Sequence, residues 1–300
     1  MSGNYVTEKI PSRLQYSVIV PVYEQWNLIR RLLSCLDVQV LDRECFEVIL
    51  VDNGSVNFRP SIDLPSSVTV LHCNKPGSYS ARNVGAKHAK GRWFVFTDAD
   101  CEPSDRWLSE IDAKIRRIGR SDVLVAGHVE VYSSSKKPTA YEIYDVVKGI
   151  PQRRYVEEGF AVTANLVVPG SLWQKLGGFD EITFSGGDVD FCQRAVRNGA
   201  VLTFLEQAVV RHPARKTKQK VVAKARRVKG GQLRSRAVGK RVISALRTIT
   251  PPMIAIWRIL IAKQHTIKFR MFALGVQLQL WVVELNELLR CLIGGAAERR

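Results

Sequence analysis

The stretch Trp93-Phe94-Val95-Phe96-Thr97-Asp98-Ala99-Asp100-Cys101-Glu102-Pro103 constrains this chain more than any other. The apolar and β-branched run from Trp93 to Thr97 reads as a short buried strand. Two carboxylates one residue apart follow it, ahead of a proline that works against further ladder pairing. Carboxylates at the carboxyl end of a buried strand face a crevice, which is where open α/β sheets bind ligands. A close aspartate pair is hard oxygen ligation of the kind that Mg²⁺ or Mn²⁺ accepts beside substrate phosphates. The same two residues could instead cap a helix starting near Ser104.

The flanking pattern favours the crevice. Tyr16 to Tyr23 is a second apolar run, Asn27 to Leu36 places Leu28, Leu32, Leu33 and Leu36 on one helical face, and Phe46 to Asp52 is a third run ending on a carboxylate. Val68 to His72 and the helical stretch Ser80 to Lys90 lead into the Asp98/Asp100 strand. Apolar strands alternating with helices imply an α/β core with a parallel sheet covered on both faces. Farther on, Val123 to Val131 and Phe160 to Pro169 read as strands. The latter contains Asn165, a buried amide that needs partners, either a substrate hydroxyl or neighbouring backbone.

Two glycine-containing segments bear on ligand chemistry. Pro76 to Gly85 opens a helix with small residues, so its backbone donors and Arg82 could meet an anion or simply form a tight turn. It is neither a Walker loop nor a GxGxxG dinucleotide fingerprint. Ser185-Gly186-Gly187-Asp188-Val189-Asp190 places carboxylates on a permissive entry to a helix. Partial burial there would raise carboxylate basicity and suit a general base, while an ordinary N-cap explains Asp190 equally well.

Ser17 to Tyr23, Val51-Asp-Asn-Gly-Ser55, Ala81-Arg-Asn-Val-Gly85, Thr97 to Pro103, Gly177-Gly-Phe-Asp-Glu181 and Gly187-Asp-Val-Asp-Phe191 occur in order over two-thirds of the chain. Together they make residues 16–212 resemble the family 2 glycosyltransferases, inverting enzymes of the GT-A fold. The resemblance implies a mixed sheet with helices on both faces and a nucleotide-diphosphate sugar donor. Pro21 and Tyr23 would line the base pocket, with Asp52 contacting the base and Arg82 near the nucleotide. Asp98 would hold ribose or a metal-bound water, and Asp100 would reach a divalent cation, Mn²⁺ or Mg²⁺. Asp188 would be the catalytic base, with Asp190 as its fallback, and Asn165 and Asp180 would fall on the acceptor side. Many members carry Glu-Asp where this chain has Gly187-Asp188. A scaffold that kept the fold and lost turnover is the alternative this departure raises.

Charge divides the molecule. From Gln207 to Val283 there are eighteen Lys or Arg and no Asp or Glu, which accounts for the whole net charge of +17. The expected organisation is a catalytic domain over 1–212 and a basic, amphipathic helical region over 213–300. His212 at the junction could be a third metal ligand, a phosphate contact or a surface histidine. The apolar stretches from Pro251 and Met271 are too short or too charged to span a bilayer, which takes about twenty residues. The last helix gathers Leu278, Trp281, Val282, Leu285, Leu289, Leu292 and Ile293 on one face. Such a tail suits an anionic membrane surface and a glycan or lipid-linked acceptor. Nucleic acid is not expected as a partner, since no recognition motif or stacking platform accompanies the charge. The six cysteines show no metal-site spacing and read as reduced thiols. With no apolar leader in the first fifteen residues, the expected location is the cytoplasm, with peripheral contact at the inner face of the membrane.

Overall fold

The computed structural model describes residues 14–56, 64–65, 67–183, 185–233 and 238–294. Most of the polar N-terminal stretch, and the tail residues Arg234 and Arg236, lie outside these. The strands are β1 (Tyr16–Val22), β2 (Phe46–Asp52), β3 (Val68–His72), β4 (Trp93–Phe96), β5 (Glu102–Pro103), β6 (Val123–Tyr132), β7 (Leu166–Pro169) and β8 (Val201–Pro213). They form one sheet in the order β3-β2-β1-β4-β7-β6-β8-β5. The helices are α1 (Trp26–Asp37), α2 (Ser78–His88), α3 (Trp107–Ile118), α4 (Ala140–Lys148), α5 (Gln152–Glu157), α6 (Gly170–Leu176), α7 (Gly187–Arg197), α8 (Lys218–Leu233), α9 (Val238–Ile249), α10 (Met253–Leu260) and α11 (Ile267–Leu292).

The expected α/β core is present. β1 pairs in parallel with both β2 and β4, and the register puts Val22 opposite Asp52, so the carboxyl ends of these strands share one edge. The sheet is mixed, not all parallel as the strand-helix alternation alone implies, because β7 runs antiparallel to β4 and β6. Two buried clusters cover its faces. One packs Leu32, Leu36, Trp107 and Ile111 from α1 and α3, and the other packs Trp173, Phe179 and Phe191. Helix α2 lies so close to the sheet that a Cβ at Gly85 would come within 2.6 Å of Ile19, which explains the small residue there.

Three expectations are corrected. Pro103 does not end pairing, because it lies in the two-residue edge strand β5 opposite Val210, where a missing N–H is tolerated. Helix α3 begins at Trp107, so Asp98 and Asp100 do not cap it. The strand over Phe160 to Pro169 is shorter than expected, since Thr163–Asn165 form a 3-10 turn before β7.

Asn165 takes the structural option. It is fully buried, accepts from Trp107 Nε1 at 2.9 Å, and donates to the carbonyls of His128 and Ala208, each at 2.9 Å. These contacts tie α3, β6 and β8 together and give Asn165 a structural role. Asn165→Ala would strand a buried indole N–H and two carbonyls. Each unsatisfied group costs about 1–3 kcal/mol, so the variant should lose at least about 3 kcal/mol, read from the urea midpoint.

After β8 the chain continues into α8 to α11. A third buried cluster joins α4 to this region through Ile143, Tyr144, Val221, Ala273 and Leu280. No described helix is long and apolar enough to cross a membrane. All six cysteines are free thiols.

Candidate active site

The site is assembled at the carboxyl edge of β1, β2 and β4. Beyond β4 the chain turns so that Asp98, Asp100 and Cys101 meet His212 near the end of β8, with their ligand atoms within 4.8 Å of one another. Pairing of β8 with β6, Val131 opposite His212, fixes that histidine at the edge. His212 is buried, and its Nδ1 lies 2.9 Å from the Pro213 carbonyl. A carbonyl only accepts, so Nδ1 carries a hydrogen, and in the neutral ring it is Nε2 that offers a lone pair. That nitrogen faces Asp100 Oδ1 at 3.6 Å. A proton on Nε2 or a bound cation would satisfy this pair, and carboxylates with an imidazole form a donor set that Mn²⁺ or Mg²⁺ accepts. Burial, followed by the charges of Asp98 and Asp100, pushes the Cys101 thiol well above its ordinary value.

Arg82, from the first half of α2, is 4 % exposed and pairs with Asp98. Its Nε meets no acceptor among the described residues. Next to it in sequence, Asn83 clamps the loop after α6, accepting from Phe179 N at 3.0 Å and donating to Phe179 O at 2.8 Å. That loop contains Asp180, whose carboxylate accepts from Ile182 N and Thr183 Oγ1 and so stabilises its own turn.

Asp52 ends β2 at 3 % exposure. It accepts from Trp26 Nε1 at 2.8 Å and from the backbone of Gly54 and Ser55, shaping the loop that follows β2. Glu24, in the left-handed region at φ 53°, joins the same loop by accepting from Val56 N at 2.7 Å. Pro21, opposite Val51 in the pairing of β1 with β2, and Tyr23 are half-buried.

Asp188 starts α7 and keeps part of its surface open. Burial raises its carboxyl above the ordinary aspartate value, against the pull of Val189 N, Arg82 and the Tyr79 hydroxyl. Tyr79 donates to Asp188 Oδ1 at 3.1 Å. The same ring explains Gly187, because a Cβ there would fall 2.7 Å from Tyr79. A side chain at 187 would collide with this ring, whose hydroxyl serves Asp188 as a donor. Sequence reasoning missed Tyr79. The available signals were a lone aromatic in a small-residue segment and a glycine where an acid is usual. Asp190 points away from this arrangement into an exposed ion pair with Arg194, 2.8 Å long.

Without the Tyr79 hydroxyl, Asp188 loses a donor that lowers its pKa. In Tyr79→Phe the acid limb of kcat/KM should therefore move to higher pH, with the plateau kept within about tenfold of wild type.

The basic region reaches the site. Arg227, on α8, is desolvated and lies within electrostatic reach of Arg215, Tyr79, Asp98 and Arg82. Beside it, burial and then the Arg215 charge pull the Lys224 ammonium down to about 7. Asp145 receives Arg215 at 2.9 Å. These cations form a string that begins next to Asp98, a field suited to phosphate oxygens.

An α/β sheet with an Asp-x-Asp turn, a histidine facing it and an opposed carboxylate is the arrangement of a GT-A glycosyltransferase. Residues 17–171 match the model of "Glycosyl transferase family 2", and the chain belongs to that family. Among curated proteins, it is 32 % identical over 206 residues to the glycosyltransferase AglE of Haloferax volcanii, covering 66 % of this chain and 67 % of that protein. It is 29 % identical to the pre-mycofactocin glycosyltransferase of Mycobacterium tuberculosis, covering 68 % of this chain and 44 % of that longer protein. Two solved structures share the fold. The mannosyltransferase PcManGT of Pyrobaculum calidifontis, in complex with GDP-Man and Mn²⁺, has a TM-score of 0.58 at 16 % identity, covering 93 % and 87 % of the two chains. TarS of S. aureus, in complex with UDP-GlcNAc, has a TM-score of 0.54 at 16 % identity, covering 92 % and 81 %.

Proposed function

We propose that the protein transfers a sugar, with inversion, from a nucleotide-diphosphate donor to a hydroxyl of a glycan or lipid-linked acceptor, in polysaccharide or glycolipid synthesis. The catalytic domain is 1–212, and 213–300 is a helical region that adds cations to it. The observation that carries this reading is Asp188, its basicity raised, next to an arginine that pairs with the Asp98 side of the Asp98/Asp100/His212 cluster.

Asp188 accepts the proton of the acceptor hydroxyl as its oxygen attacks the anomeric carbon. The carbon–oxygen bond to the diphosphate breaks on the opposite face, and the diphosphate leaves with the electron pair. Arg82 and Arg227 hold positive charge where that leaving group develops negative charge. Asp98, Asp100 and His212 would hold the divalent cation, which supplies Lewis-acid neutralisation of the diphosphate. Pro21, Tyr23 and Asp52 form the wall assigned to the base. Asp180 shapes a loop on the acceptor side. The protein acts in the cytoplasm.

The test is thermal stabilisation across a panel of nucleoside diphosphates and nucleotide sugars, with and without Mn²⁺. A ligand at a hundredfold over its Kd adds about 2.7 kcal/mol to native stability. One nucleotide diphosphate that stabilises only with metal identifies the donor class. A panel without any shift would overturn the donor reading.

A further inference from the structure

Helix α9 has its polar side inward. Thr248 is buried, accepts from Lys229 Nζ at 3.0 Å and donates to the Ser244 carbonyl at 2.7 Å. Ser244 in turn reaches Gln232 at 3.3 Å. The apolar stripe, Val242, Ile243, Leu246 and Ile249, faces solvent with 51 to 60 % of each residue exposed. A helix folded onto a core in water shows the opposite order.

The next helix repeats the pattern. In α10, Ile259 is buried, while Met253, Ile254, Trp257 and Leu260 are 45 to 67 % exposed. On α11 the sequence-predicted apolar face is largely the outward one, with Leu278, Val282 and Leu289 exposed. The inward face is Ala273, Val276, Leu280 and Leu288 with the acidic Glu287. Seventeen of the twenty-three exposed large apolar side chains among the described residues lie between Val242 and Ile293, so exposed apolar surface is concentrated on the C-terminal helices. A patch of this kind marks an interaction site.

Charge selects the occupant. Arg241, Arg247, Arg258, Lys263 and Lys268 are exposed among the apolar residues. The acids of α11 are engaged inward, Glu284 with Lys229 at 3.0 Å and Glu287 with Arg290 at 3.3 Å. A second copy of this chain would bring the same cations together with no acid between Gln207 and Val283 to offset them. An anionic bilayer offers apolar depth and negative charge at once, and an exposed tryptophan between arginines suits the headgroup boundary.

We propose that the face of α9 and α10 docks the protein on an anionic lipid bilayer, with both helices lying in the headgroup plane. The reading is independent of the transfer chemistry. It is tested by co-sedimentation of the full chain with phosphatidylcholine vesicles that lack or contain about one-third phosphatidylglycerol. Binding should require the anionic lipid and weaken as salt rises from ~0.05 to ~0.5 M. The double variant Ile254→Glu/Trp257→Glu should partition about tenfold more weakly while keeping its thermal midpoint and its stabilisation by nucleotide. Arg247→Gln/Arg258→Gln should lose preference for the anionic lipid. Failure to bind either vesicle, or equal binding by wild type and the Ile254/Trp257 variant, would overturn the proposal. So would a dimer in light scattering that the same variant abolishes, which would assign the face to a second copy.

Discussion

Asp188→Asn should bind nucleotide-diphosphate sugar as wild type does and transfer it about a thousandfold more slowly, within the range general-base catalysis supplies. The amide keeps the size of the side chain and can still accept from Tyr79, so the start of α7 and its packing on the Tyr79 ring stay in place. It removes only the capacity to take a proton. Binding is read from thermal stabilisation and transfer from product formation at saturating donor, which separates the two effects. In wild type, kcat/KM should fall on the acid side with an apparent pKa above the ordinary aspartate value. Burial disfavours the ionised carboxylate, and the base works only when ionised. The variant should lose that limb altogether. A scaffold that has given up turnover would show the same properties with either residue.

What was legible in the sequence follows from which contacts are local. β1, β2 and β4 are buried on both faces and read as continuous apolar runs, so the strand ends that hold Asp52, Asp98 and Asp100 could be placed in advance. β8 could not be traced the same way. Its thirteen residues include Glu206, Arg211 and His212 and alternate irregularly between buried and exposed, because it lies toward the sheet edge between β6 and the short β5. The Tyr79–Asp188 contact joins residues 109 apart, and no periodicity reports a pairing at that distance. Asn165 illustrates the converse limit. A buried amide announces that partners exist, but only the fold shows them to be Trp107 and two carbonyls rather than a ligand. The last helix reads as amphipathic, but it is apolar on more than one side, with Ala273, Val276, Leu280 and Leu288 buried and Leu278, Val282 and Leu289 exposed, so the pattern alone did not tell which side turns inward.

Asp100→Ala should abolish metal-dependent stabilisation by nucleoside diphosphate, a loss of about 2.7 kcal/mol at a hundredfold over Kd, without lowering the midpoint of the metal-free protein. The two effects differ because Asp100 has different company in the two states. In the metal-free protein it lies beside the Asp98 carboxylate and 3.6 Å from His212 Nε2, beyond hydrogen-bond distance, so removing it relieves like-charge crowding and breaks no described hydrogen bond. With a divalent cation present, the same carboxylate is a ligand, and its loss leaves Asp98 and His212 to hold the ion alone. Cys101→Ser is the matched control. Its thiol lies in the same cluster, and a hydroxyl of similar size replaces it, so with hard oxygen ligation by the aspartates the metal response should persist in that variant. If Asp100→Ala kept the full metal response and Cys101→Ser lost it, the ligands would lie elsewhere in the cluster and hard oxygen ligation would be wrong. If both variants and wild type bound nucleotide equally with and without metal, the cation string of Arg82, Arg227 and Arg215 would hold the diphosphate instead. Arg227→Gln would then be the substitution that removes binding.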